Sequence, residues 1–198
     1  MALARNLEVV GAMKASDWEI TSHGLLWIDY QNIDFEIERE HMRQAIEIHE
    51  QVTGSKPQGW YTGRSSANTQ QLVIENGDFL YDSDSYADDL PYWVNGKGNP
   101  HLVVPYTLDT NDMRFATNQG FNCGDQFFTY LRDSFDTLYA EGPEEAKMMS
   151  IGLHCRLVGR PGRIASLARF PDYIDKFDDV WVCRRDSIAK HWREDFSP

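Results

Sequence analysis

The sequence predicts an α/β fold built from βα units with parallel strands, and three observations carry that reading. Short apolar runs of four to six residues alternate with helical patterns of ten or more, the spacing of strands joined by crossover helices. Several of the runs end in chemically capable side chains: His23, Arg64 after Tyr61, Asp82 and Asp84 after Tyr81, and His154. Recurrence at the C-terminal ends of strands is what the working face of a βα barrel produces. No glycine-rich phosphate fingerprint follows any strand, which counts against a nucleotide-binding sheet.

The elements can be justified in order. Residues 2–15 read as an amphipathic helix with Leu3, Leu7 and Val10 on one face, and Trp18 to Ser22 as a short strand ending at His23. Residues 35–53 form the strongest helical pattern. Asp34 is a candidate cap, Ile37, His41, Ala45 and Ile48 recur at helical spacing, and Gly54 stops the run. Lys56 to Tyr61 is strand-like, and a helix begins at Ser65 or Ser66 and runs to about Glu75. Phe79–Tyr81 and Leu102–Pro105 read as short strands around a polar, aromatic-rich loop. Residues 125–141 read as helix, and Met148 to Leu153 as a buried strand ending at His154. Pro161 opens a helix to about Lys176, Val180 to Cys183 is a last strand, and Asp186 is positioned to cap a final helix.

Composition bounds the function. At 198 residues the chain suffices for one well-cored domain, and 41% apolar with 13% aromatic residues is globular. A net charge of −12 without clustered Lys or Arg disfavours nucleic acid. No apolar run approaches the roughly 20 residues of a bilayer span, so no membrane role is expected. Three cysteines without CxxC spacing read as reduced, buried thiols of an intracellular, cytoplasmic protein.

His154 ends an apolar run and precedes a loop with Arg156, Arg160 and Arg163. A neutral imidazole there can take a proton from water and return it to a leaving nitrogen near pH 7, while arginines stabilise an oxyanion. A buried histidine beside a solvated basic loop is the structural alternative. His23 has the same strand-end context, but the fourth residue after it, where a second metal ligand could sit, is Trp27. One histidine is not a metal site. Gly59-Trp60-Tyr61-Thr62-Gly63-Arg64 sets two aromatics and a planar donor fork around two glycines, or is a plain turn. The Tyr81–Trp93 segment lacks the glycine and terminal glutamate of a calcium loop; a polar wall for a small ligand fits it better. Thr107–Phe115 is similarly polar and could line a site, whereas His41, His49, His101 and His191 read as structural.

At these residues a resemblance becomes specific. His23, the Gly-Trp-Tyr-Thr-Gly-Arg segment, the Asp82-Ser83-Asp84-Ser85-Tyr86 loop and Leu153-His154 resemble, in order, the motifs of the NodB-type polysaccharide deacetylase family. Within it, Trp27–Gln31, Tyr106–Phe115 and Gly152–Arg163 are similar to the PuuE-type branch of metal-independent allantoinases. The resemblance implies a partial, distorted (β/α) barrel of the NodB type that opens the hydantoin ring of allantoin in urate catabolism. Catalysis is then expected from His154 and His23, with Arg64, Trp27, Tyr61, Asp84, Arg156 and Arg163 on the substrate side. No cofactor and no metal are expected, and the branch implies a homo-oligomer. Its members begin with a further segment holding the first barrel strands and an acidic motif. A single domain over residues 1–198, shortened at its N-terminus relative to that family, is the expectation. A metal-dependent carbohydrate N-deacetylase and an inactive, shortened homologue are the competing readings. Trp27 argues against the first, because it stands where the family's metal-dependent members carry their second histidine.

Overall fold

A computed structural model describes residues 2–96 and 99–198 of the chain. In chain order the helices and strands begin with α1 (Leu7–Ala15), α2 (Phe35–Thr53), β1 (Gly59–Trp60), α3 (Thr69–Asn76) and β2 (Tyr81–Asp82). They continue with β3 (Tyr92–Gly96), β4 (Asn99–Val103), α4 (Gly124–Glu141), α5 (Cys155–Val158), α6 (Pro161–Ile174) and α7 (Arg185–Asp195). The fold is α/β with a partial sheet, as the strand and helix patterns predict. Internal contacts divide it into two compact units, Met1–Ser85 with Pro91–Pro105 and Cys183–Pro198, and Tyr86–Leu90 with Tyr106–Val182.

In the first unit α2 forms as its sequence dictates. Asp34 accepts from the backbone N–H of Glu36 at 2.9 Å, and Gly54 ends the helix at φ 88°, which favours glycine. Glu38, Met42, Ala45, His49 and Thr53 recur every three or four residues and make one buried stripe. Met42 and Ala45 join Leu25, Trp60, Leu72, Val73 and Phe79 in the core. The polar members of the stripe are satisfied: Glu38 accepts from Ser66 Oγ at 2.6 Å and from Thr69 Oγ1, and His49 bridges Ile20 O and Ser55 O. On α1 the expected apolar face is only partly used, with Val10 buried and Leu7 exposed.

The sheet runs in the order β1-β2-β4-β3. β1–β2 and β2–β4 are parallel, while β3 and β4 pair antiparallel from Tyr92↔Val103 to Gly96↔Asn99. Ser22 adds a parallel bridge to Trp60, so the expected strand before His23 is reduced to one paired residue. β3 was not expected; it lies at the end of the aromatic stretch read as loop. β2 and β4 share one backbone pair, and across it His101 Nε2 meets Asp82 Oδ2 at 2.9 Å, both side chains buried. α7 is tied to the sheet by Arg185, which donates to Ser83 Oγ and to the carbonyls of Val104 and Pro105 at 2.8–3.2 Å. Asp186 does not cap α7. It lies within the first turn and pairs with Arg184 and Lys190, while its own N–H donates to Glu19.

In the second unit α4 and α6 pack together around Phe121, Phe127, Leu131, Val158 and Phe170. Completely burying a side chain such as Phe127 or Leu131 contributes roughly 1.5–3 kcal/mol. The 148–153 run is not a ladder strand. Met149 and Ile151 pack on this core, and among the described residues the run's one backbone bridge pairs Gly152 with Asn111. The expected strand at Val180–Cys183 is also absent, with Val182 76% exposed. Apolar content alone misleads in both places, since packing against helices satisfies the first run and solvent surrounds much of the second. The cysteines differ from expectation too: Cys123 and Cys155 are exposed and Cys183 is intermediate.

Candidate functional site

In the second unit the Tyr106–Phe115 stretch and the segment ending at His154 are brought together by backbone pairing. Asp112 N donates to Gly152 O at 2.9 Å, and Gly152 N donates to Thr110 O at 3.2 Å. A short 3-10 turn, Asp112–Ala116, starts there, with Asn111 as its side-chain cap. The result places the completely buried Asp112 against His154. Asp112 Oδ1 lies 2.6 Å from His154 Nδ1, and Oδ2 accepts from the backbone N–H groups of His154 and Val158 at 2.8 and 3.0 Å. Two backbone N–H groups already donate to Oδ2, and an ionised carboxylate can only accept, so Oδ1 accepts from the ring nitrogen it faces. Nδ1 therefore carries the ring proton and Nε2 presents a lone pair, from a side chain that is 28% exposed. This geometry can move a proton at Nε2.

Sequence reading found His154 but missed Asp112, although it marked the polar stretch that contains it. The arginines after His154 diverge. Arg163 lays its guanidinium 4.4 Å over the Phe115 ring and donates to Leu157 O, while Arg156 is exposed on α5. The same unit holds an open groove of about 1170 Å³, walled by Tyr86, Tyr106, Leu108, Phe121, Tyr130 and Met149 among others. Neither Asp112 nor His154 lines it.

In the first unit the remaining predicted residues fall around one turn. His23 and Tyr61 face each other with ring centroids 4.9 Å apart. Gly63, at φ 77°, passes so close that a Cβ there would sit 3.2 Å from His23 Cε1 and from Tyr61 Cζ. Asp84 holds the turn: it accepts from the backbone N–H of Thr62 at 2.8 and 2.9 Å and of Gly63 at 2.8 Å. Burial pushes the Asp84 carboxyl up to about 6, against the pull of those two N–H groups and with a further push from Asp82. Arg64 lies 4.5 Å over the Trp27 ring.

These residues do not fit a metal. Trp27, in the second-ligand position, offers no lone pair and has a guanidinium stacked on it, and a cation beside it would repel an incoming metal ion. Among the described residues no group of three or more His, Cys, Asp or Glu could hold one. Nor is any helix among them long and apolar enough to cross a membrane.

No family model matches the chain. Known proteins do. A "Putative polysaccharide deacetylase" of Schizosaccharomyces pombe is 44% identical over 210 residues, covering 96% of this chain and 65% of the relative. A solved "probable Polysaccharide deacetylase" from Pseudomonas aeruginosa PAO1 is 58% identical over 98% of this chain and 66% of its own, with a TM-score of 0.96. The solved "Puue Allantoinase" matches equally well, 58% identical over 98% of this chain and 65% of its own, with a TM-score of 0.96. The chain thus spans just under two thirds of the length of these relatives. Identity of this level along nearly the whole chain, on an α/β fold that superposes closely, leads to one conclusion: the chain belongs to the polysaccharide deacetylase family, in which a PuuE allantoinase is among its near structural neighbours.

Proposed function

We propose that this chain serves a hydrolase that breaks the carbon–nitrogen bond of a cyclic amide without a metal, opening allantoin to allantoate in urate breakdown. The observation that carries the reading is the buried Asp112 holding His154 with Nε2 available. Nε2 takes a proton from water as the water oxygen bonds to the hydantoin carbonyl carbon. Collapse of the tetrahedral species breaks the ring carbon–nitrogen bond, and the same proton passes from Nε2 to the departing nitrogen. Water is consumed and a ureido acid is formed, with no net change in the histidine. Asp112 keeps the productive tautomer and offsets the charge of the transient imidazolium. Arg156 and Arg163 are the second unit's proposed oxyanion partners, of which Arg163 must first leave its Leu157 contact.

For the first unit the proposal concerns Arg64, Trp27, Tyr61 and Asp84 as substrate-binding groups and His23 as an additional proton-handling group. The choice of allantoin leans on the 58% identity to the solved Puue Allantoinase and on the misfit of Trp27 to a metal site. A cytoplasmic homo-oligomer belongs to the same reading.

Purified protein is assayed for allantoin loss with and without chelator. Turnover in both conditions that His154→Ala abolishes supports the proposal, and no turnover in either refutes it for this chain. Stoichiometric zinc with release of acetate from N-acetylated oligosaccharides would favour the deacetylase reading, which the names of the yeast and Pseudomonas relatives support.

A further inference from the structure

Several arginines in this protein lie flat on aromatic rings, and comparing where their donors go isolates one of them. Arg39 over Phe35 pairs with Glu36, Arg132 over Phe128 with Asp133, and Arg169 over the same ring with Asp125. Arg114 over Tyr130 donates to Asp109 O, Arg163 over Phe115 to Leu157 O, and Arg193 over Trp93 to Leu80 O. In each, the ring covers one face of the guanidinium and a protein oxygen takes up the edge. Arg64 has the ring without the oxygen. Its Cζ is 4.5 Å from the Trp27 centroid, and among the described residues its guanidinium makes no hydrogen bond or ion pair. That is unusual in a chain with 31 acidic and 19 basic residues, where a carboxylate partner is easily found.

The backbone on both sides of this arginine is fixed. Gly63 N donates to the Asp84 carboxylate at 2.8 Å, and Arg64 O accepts from Tyr30 N at 3.1 Å. The second bond also ties the Arg64 segment to the Trp27–Tyr30 segment, so the ring and the guanidinium meet without a long loop to order. Trp27 is 59% exposed and is not among the core residues, so its burial adds little to folding. A large aromatic side chain left this open is better explained by what it holds than by what it packs.

We propose that Trp27 is a positioning residue for Arg64, and that the stacked guanidinium is a preorganised fork for the carboxylate or paired carbonyl oxygens of a planar ureido ligand. This deepens the ring-opening reading and rests on it for the ligand class. Trp27 fixes the plane of the fork and occupies one of its faces, so the ligand engages the edge, where Nε and the terminal nitrogens present parallel donors. Lysine keeps the charge at position 64 but not that geometry.

The test needs no turnover, so its failure is separate from failure of the allantoin assay. Binding of N-carbamoylglycine, the acid formed when hydantoin opens, is titrated by calorimetry and by the Nε–Hε NMR resonance of Arg64, with hydantoin as the neutral probe. The acid is expected to shift that resonance, and Arg64→Gln to weaken binding more than tenfold, in line with loss of a charge-assisted bidentate contact. Trp27→Leu should weaken it about two- to fivefold, the size of an exposed cation–π contact. Trp27→Phe should retain most of the affinity. In an Arg64→Gln background Trp27→Leu should have no further effect, and Arg64→Lys should not restore binding. Equal losses from Trp27→Leu with and without Arg64 would show that the tryptophan acts independently and overturn the positioning role. An Arg64 resonance unmoved by either probe would overturn the fork.

Discussion

Replacing Asp112 by asparagine preserves its shape and changes what it presents to three partners at once. In the native chain one carboxylate oxygen accepts from the backbone N–H groups of His154 and Val158, and the other faces His154 Nδ1 at 2.6 Å. The amide oxygen can take over the two backbone bonds, trading charge-assisted bonds for neutral ones at roughly 1 kcal/mol each, or about 2 kcal/mol in all. For a chain of this length that lowers Tm by roughly 4–8 °C, so the protein stays folded at room temperature. With the oxygen so committed, the amide nitrogen points its hydrogens at Nδ1. Nδ1 must then accept, and the ring proton moves to Nε2, where it blocks proton abstraction from water. Since a positioned general base is worth about 10²–10⁴-fold, allantoin turnover by Asp112→Asn should fall by that factor. Steady-state allantoin consumption measures the loss, nitrogen-detected NMR of His154 reports the tautomer, and a urea melt reports the stability. Normal turnover, or lost turnover with the Nδ1–H tautomer intact, would refute the reasoning.

Further expectations follow from burial and close packing. Asp84, held up to about 6 against an ordinary 3.8, binds its proton more tightly folded than unfolded. Its contribution to stability is complete below about pH 4 and is lost as pH rises through 6, a change of at most about 3 kcal/mol. Asp84→Asn should flatten the fall in stability between pH 4 and 6 seen in denaturant melts, and an unchanged slope would contradict this. Gly59→Ala would put a Cβ 2.4 Å from Cζ of the buried Tyr81 ring, whose hydroxyl is fixed on Glu19. It should cost roughly 1–3 kcal/mol by overpacking, and a melting midpoint within error of the native protein would show that β1 and β2 can part freely.

Much of the architecture was legible where local chemistry decides it. The Asp34 cap, the four-residue rhythm and Gly54 together delimit α2, and Pro161 opens α6, because each signal acts within a turn of the element it sets. What escaped depends on distant partners. β3 exists because β4 lies alongside it, and nothing in Tyr92–Gly96 distinguishes an aromatic loop from an edge strand. Met148–Leu153 has the composition of a buried strand, yet Met149 and Ile151 find helices rather than a ladder to pack on. The site divides in the same way. His154 stood out as an ionisable group ending an apolar run, while Asp112, its partner, lies 42 residues earlier in a polar stretch beside a second, equivalent-looking aspartate, Asp109. Arg64 and Trp27 were each identified as ligand-side groups, but their stacking is a property of the turn that Asp84 and Tyr30 hold.

The fastening of α7 bears on the order in which the chain can be assembled during synthesis. Arg185 closes on Ser83, Val104 and Pro105, Asp186 on Glu19, and Arg193 on Leu80, so the first unit is threaded from sequence lying on both sides of residues 106–182. At about 5–20 residues per second, a ribosome spends about 4–15 s on that intervening stretch before α7 can emerge. Through that interval the carbonyls of Leu80, Val104 and Pro105 lack these donors from α7 and depend on water or chaperone instead. The pairing of Asp112 with His154 carries no such delay, for both lie within the continuous run 106–182 of the second unit.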